Sequence, residues 1–233
     1  MALAGFPVTR PSVIEDLSAP DPEARRAAQD LLARAYWAPI ASTLRVRWSM
    51  DDADAEDLTQ EFLSEALQKE WLSRYDPAKA RFRTFLRMCV DRFAAKARQA
   101  NHRLKRGGGA EVVALDENLA ANEARADDHF RQEWVRSVFT MALDGLRAEA
   151  AATGKEVNVA VFEAHDIDDA QPGRPSYRQL AARFNLPETT ITNHLAWARR
   201  SFRRHVLAVL RRLAGSESEF RQDARELLGL DVT

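Results

Sequence analysis

The sequence predicts an all-α protein of two small helical domains joined by a flexible linker, and three observations carry that prediction. Apolar residues recur three, four and seven positions apart along most of the chain, which is the spacing of one face of a helix. Only nine glycines and nine prolines occur in 233 residues, and inside the periodic stretches they are scarce. No alternating run reads as a strand, and no internal repeat is present.

Taken in order, Pro22 marks a helix start and Pro39 interrupts an apolar pattern. This predicts two helices, roughly 22–37 and 39–48, with Pro39 at a helix start or kink. A helix over about 52–71 follows. Phe82, Phe85, Leu86, Cys89, Val90 and Phe93 then share one face of a long helix over about 82–104, with Cys89 packed on it. Gly107, Gly108 and Gly109 open an aperiodic stretch, predicted as a linker over 107–126 between domains 1–106 and 127–233. Beyond it Phe130, Trp134, Val138 and Met141 begin another helix, and Val157 to His165 make a short one before a turn at Gln171-Pro172-Gly173.

The last elements read as a helix-turn-helix. Ser176 and Gln179 fit a capping box, and Tyr177, Leu180, Ala181 and Phe184 share a face. Asn185 tolerates the left-handed backbone of a sharp turn, and a second helix begins near Pro187. On it Ile191, Leu195, Ala198 and Phe202 point inward, leaving Thr192, Asn193, Ala196, Trp197 and Arg200 outside. Such a face suits the major groove, where Asn pairs with adenine and flanking arginines hold phosphates. The alternative is an ordinary helical hairpin whose arginines face solvent.

With 45% hydrophobic and 30% charged residues the chain is expected to fold rather than remain disordered. No uncharged run is long enough to span a bilayer, and MALAGFPVTR is not a secretory leader, so a cytoplasmic protein without membrane contact is expected. A lone cysteine, Cys89, forms no internal disulfide, and five dispersed histidines give no zinc spacing. No metal and no cofactor are expected. A net charge of -1 argues against a general polycation binder, but the charge is unevenly distributed. Asp51 to Glu61 carries six acids and no base, Arg74 to Arg106 eleven bases and two acids, and Arg174 to Arg212 a single acid, Glu188. From Ser216 onward the chain turns acidic.

In the acidic block Asp54, Asp57, Glu61 and Glu65 line one helix face opposite Leu58 and Phe62. Three readings remain open: a solvated face, a metal-binding carboxylate cluster, and a docking face for a basic partner. In the basic block the turn after Tyr75-Asp76-Pro77 feeds Lys79, Ala80, Arg81, Phe82, Arg83, Thr84 and Phe85. Bases interleaved with aromatics suit single-stranded nucleic acid, because cations follow phosphates while rings stack on bases at about 1–3 kcal/mol each. Phe82 and Phe85 can equally be core, with Arg81, Arg83 and Arg87 left outside.

At these residues the chain resembles a bacterial RNA polymerase sigma factor of the sigma-70 superfamily, extracytoplasmic-function type. Asp54-Ala-Glu-Asp-Leu-Thr-Gln-Glu-Phe62 is similar to the helix that docks on the polymerase β′ clamp helices. Tyr75 to Leu86 resembles the segment that opens and captures the minus-10 element, and Pro175 to Arg204 the helix-turn-helix that reads the minus-35 element with the β flap as protein partner.

The resemblance implies polymerase docking by Asp54, Glu56, Asp57, Gln60 and Glu61. It implies minus-10 capture by Lys79, Arg81, Phe82, Arg83, Thr84 and Phe85, supported by Arg87, Arg92 and Lys96. Minus-35 contacts fall to Tyr177, Arg178, Thr190, Thr192, Asn193, Ala196, Trp197, Arg199, Arg200 and Arg203. It further implies a non-enzymatic subunit whose partners are core polymerase, promoter DNA in duplex and single-stranded form, and an anti-sigma factor or other regulatory protein. Pro187 stands where the family usually caps the recognition helix with Ser or Thr, and 149–175 is longer than the usual connection. Neither that segment nor the acidic tail receives a role. The rival readings are a freestanding helix-turn-helix regulator and a carboxylate-metal hydrolase built on Asp54, Asp57 and Glu61.

Overall fold

The structure, a computed structural model, describes residues 12–106, 119–168 and 173–230, and among them every regular element is helical. Helix α1 (Val13–Leu17) is closed by a capping box between Ser12 and Glu15. Helix α2 (Pro22–Trp48) starts at Asp21, whose carboxylate accepts from the Glu23 and Ala24 N–H groups. It runs straight through Pro39 where two helices were expected. An interior proline costs about 3 kcal/mol, but Tyr36, Ile40 and Leu44 are buried on the same face to within 1% exposure. Burying three large side chains outweighs that cost.

Helix α3 (Asp52–Gln68) begins at Asp51, which accepts from Asp54 N–H at 2.8 Å, and gives way to a 3₁₀ turn at Trp71–Arg74. In α4 (Phe82–Arg106) the predicted stripe holds: Phe82, Leu86, Val90 and Phe93 are buried, with Phe85 and Cys89 half-buried. Helix α5 (Leu119–Thr153) begins inside the predicted linker, so the latter part of 107–126 is helical, while 107–118 lie outside the described residues. Phe130, Trp134, Val138 and Met141 all point into the core. Helix α6 (Glu156–Phe162) continues as a π-turn, Glu163–Ile167. Of the expected turn that follows, Gln171 and Pro172 lie outside the described residues. Helices α7 (Tyr177–Phe184) and α8 (Glu188–Leu213) form the helix-turn-helix. Helix α9 (Glu217–Leu228) has no counterpart among the predicted elements; Ser216 caps it and Gly229, at φ 63°, ends it.

The packing does not follow a division into 1–106 and 127–233. One apolar cluster joins α1, α2, α3 and α4 to the first part of α5, the C-terminal half of α8, and α9. A second, smaller one gathers Leu146 and Ala150 of α5, Val159, Val161 and Phe162 of α6, Ala164 of the π-turn, Leu180 of α7 and Ile191, Leu195 and Ala198 of α8. Helices α5 and α8 therefore serve both clusters, and α2 lies along α5. No described helix is long and apolar enough to cross a membrane.

Candidate nucleic-acid interface

The turn between α7 and α8 is built by local chemistry. Ser176 Oγ accepts from Gln179 N–H at 3.3 Å, and Gln179 Oε1 accepts from Ser176 N–H at 2.7 Å. Asn185 takes the left-handed conformation (φ 52°, ψ 48°), and Leu186 N–H closes the turn on Ala181 O at 3.0 Å. Pro187 stands at the start of α8 without a side-chain cap, as its chemistry requires. Ile191, Leu195 and Ala198 are fully buried, which turns Thr192, Asn193, Arg200 and Arg203 to solvent. Arg178 is exposed beside them, and Tyr177, Thr190, Ala196 and Trp197 are half-buried at the edge of this face. Thr192 Oγ1 donates to Glu188 O at 3.0 Å, which leaves its lone pairs and methyl group outward.

Residues between Glu149 and Asp166 brace this helix. Asp166, in the π-turn, accepts from Arg199 Nε at 2.8 Å and holds it from behind; His165 lies 2.9 Å from the same carboxylate. Burial works against the charge on Asp166, but the Arg199 and His165 hydrogen bonds hold its carboxyl below the ordinary range. Arg199 is thus a strut, unlike its exposed neighbours Arg200 and Arg203. Lys155 sits 4.8 Å from the centre of the Trp197 ring, and Glu149 takes both Arg204 and His205.

On α3, Ala55, Thr59, Phe62, Leu63 and Ala66 are buried, which places Asp54, Glu56, Asp57, Gln60 and Glu61 on the exposed side. None of those five side chains enters an ion pair or hydrogen bond among the described residues, whereas Asp52 and Glu65 of the same helix pair with Arg45 and Lys69. Among the described residues no group of three His, Cys, Asp or Glu is placed to hold a metal ion.

The basic-aromatic segment differs most from expectation. Phe82 is fully buried, edge-on to Tyr36 and Tyr75 with ring centres 5.7 and 5.2 Å away, so it supports the loop and cannot stack on a base. Arg83, expected outside, is 8% exposed; it donates to Asp223 at 2.5 Å and lies 4.8 Å from the Trp134 ring centre. Arg81 reaches Asp223 at 3.1 Å and Glu226 at 2.6 Å. Arg87 is also held inward, by Asp91 at 2.7 Å and by Asp127. Lys79, Thr84, Arg92 and Lys96 are exposed, Lys79 beside Asp76 at 3.2 Å, and Phe85 is half-buried. Arg81, Arg83, Thr84 and Arg87 line an open cavity of about 220 Å³ with Asp127 and Asp128 on its other side.

The partners that reorganise these arginines come from α9. Glu219, Asp223 and Glu226 recur at four and seven, the signature of one helix face. Glu219 accepts from the Phe82 N–H at 3.0 Å, from Gly215 N–H at 2.9 Å and from the Tyr75 hydroxyl at 3.2 Å. Asp223 and Glu226 thus face Arg81 and Arg83, and Arg131 reaches Glu226 at 3.4 Å. Burial pushes the Asp223 carboxyl up to about 7 against the pull of Arg81, and burial also raises Glu219. Hydrogen bonds from Arg81 hold the more exposed Glu226 below the ordinary range.

This arrangement predicts a pH dependence of stability. Unfolded, Asp223 loses its proton near 3.8; folded, it keeps it to about 7. The native state binds more protons between these values, so this contribution is complete below the lower one and is lost as pH rises through about 7. Glu149, Asp166 and Glu226, all held low, act in the opposite sense, and only as pH falls below their ordinary values of 4.5, 3.8 and 4.5. Urea midpoints are expected to rise as pH falls from about 8 to about 6, and Asp223→Asn to remove most of that slope. A flat wild-type profile, or an equal slope in the variant, would contradict this.

Comparison of the chain with protein families, with curated proteins and with solved structures finds no match.

Proposed function

We propose that the chain is a promoter-specificity subunit of bacterial RNA polymerase, a sigma factor of the extracytoplasmic-function type. One observation carries this reading: a single chain presents a free recognition face on a helix-turn-helix and, on a different helix, a free acidic face. The first supplies sequence reading in the major groove. The second supplies a grip for a protein partner that does not compete for DNA. On this reading Asn193, Thr192, Ala196 and Trp197 meet the upstream element, Arg200 and Arg203 hold its phosphates, and α3 docks on the polymerase clamp. The loop from Lys79 to Phe85 meets the downstream strand. Two weak DNA contacts on one scaffold reinforce each other through effective concentration, so a near-neutral chain can act on DNA without a uniformly basic surface. Catalysis belongs to the polymerase.

Fluorescence anisotropy on the preferred upstream duplex and on random duplex tests the recognition register. Asn193→Ala or Thr192→Ala should cost about 1–3 kcal/mol on the former and little on the latter, whereas Arg200→Ala should weaken both alike. Equal losses on both DNAs for Asn193→Ala would move that residue to the backbone. Gel filtration with core polymerase tests the class: a sigma factor elutes as a stoichiometric complex, and a freestanding regulator elutes alone.

A further inference from the structure

The geometry points to α9 as a built-in cover of the basic loop: its acidic face occupies the arginines and the backbone N–H that a nucleic-acid strand would use, so strand and α9 exclude each other. This rests on the proposed function only in naming that loop as the strand-binding element.

The contacts are those a strand would make. Carboxylates on arginine forks and on a helix-initial N–H stand where phosphate oxygens bind. Asp223 takes Arg81 and Arg83 on one oxygen, Glu226 takes Arg81 through both terminal guanidinium nitrogens, and Glu219 takes the Phe82 N–H that opens α4. With α9 in place Arg83 is held between Asp223 and the Trp134 ring with 8% of its side chain exposed. Asp223 and Glu226 together occupy Arg81 and Arg83, and Arg131 joins them at Glu226, so the cations around the loop are engaged while α9 is in place.

The anchor of α9 is small and its hinge short. Phe220 and Ala224 are its fully buried apolar residues, and Leu227 and Leu228 are partly buried. The chain enters α9 through Ala214, Gly215 and Ser216, with Gly215 so close to Tyr75 that a Cβ there would fall 2.3 Å from the ring. A larger residue must shift either this turn or the Tyr75 ring against which it rests.

Anisotropy of a labelled single strand of about 16 nucleotides, titrated with the free full chain, tests the cover. Glu226→Gln, an exposed position, Asp223→Asn/Glu226→Gln, and the charge-neutral Gly215→Ala are each expected to tighten binding by about tenfold. Uncovering two arginines for two phosphates should also steepen the salt dependence by about 1.4, at 0.7 for each phosphate. Adding Arg81→Ala should erase the gain. Glu23→Gln/Asp30→Asn, with the same charge change on the exposed face of α2, sets the contribution of net charge alone. Circular dichroism identifies any variant that does not fold, and Glu226→Gln then decides. The cover is overturned if that variant binds no tighter than wild type, if the α2 control gains as much, or if the gain survives Arg81→Ala. Gel filtration with core polymerase is read separately. A chain that gains strand binding but never joins core keeps the cover and loses the sigma reading, and one that joins core without the gain loses only the cover.

Discussion

Reversing Asp57 and Glu61 to lysine is expected to abolish assembly with core RNA polymerase while leaving the fold intact. Both side chains are exposed and neither enters an ion pair or hydrogen bond given by the structure, so their replacement should move stability by no more than about 0.5 kcal/mol. The effect on a complementary basic partner is different in kind, because like charges brought together across an interface cost several kcal/mol. That corresponds to a loss of at least about a hundredfold in affinity. Gel filtration or biolayer interferometry with core enzyme reads the loss, and circular dichroism confirms the fold. Normal assembly by the double variant would remove α3 from the proposed docking site.

The second large effect concerns strand opening. Melting a promoter requires bases to leave the stack, at a cost of a few kcal/mol, and a protein without a motor offsets this only by binding what has been extruded. On the proposed reading Lys79 and Arg81 supply that binding. Lys79→Ala is the cleaner variant, since the side chain is 81% exposed and its ion pair among the described residues is with Asp76. Arg81→Ala additionally removes the nearest partner of Glu226, leaving it to Arg131 and Arg83, and leaves Asp223 to Arg83. Both are expected to retain core assembly and closed complexes on duplex promoter but to lose the open complex. Transcription should return on a template mismatched across the minus-10 element, where the unstacking cost is already met. Permanganate reactivity of unpaired thymines reports opening directly. Wild-type reactivity in both variants on duplex DNA would shift the melting role to the exposed Arg92 and Lys96 side of α4.

Much of the fold was legible because helix faces in this chain are cleanly patterned. The stripe from Phe82 to Phe93, the set Phe130, Trp134, Val138 and Met141, and the cap and turn at Ser176 and Asn185 each carry a local signal that tertiary packing does not override. Pro39 shows the limit of local reasoning: its intrinsic cost is real, but burial of Tyr36, Ile40 and Leu44 prevails. The candidate site was less legible. Exposure of the acidic face of α3 and of Asn193, Thr192, Arg200 and Arg203 follows from periodicity alone. What covers Arg81 and Arg83 does not, because their partners lie about 140 positions away in sequence, beyond any local pattern. Glu219, Asp223 and Glu226 do share a face, and an acidic helix face in a chain with an arginine-rich loop is the signal that could have identified them. The engagement of Arg199 by Asp166 depends on the π-turn at Glu163–Ile167, for which the sequence offers no distinctive mark.

Run-off transcription tests the central proposal most directly. Purified chain, core polymerase and genomic fragments are combined, and transcript 5′ ends are mapped. The account predicts discrete transcripts absent with core alone, their start sites sharing two upstream elements, and their loss with the Asp57→Lys/Glu61→Lys variant. A chain that binds duplex DNA through α8 yet yields no transcript beyond those of core alone would contradict it.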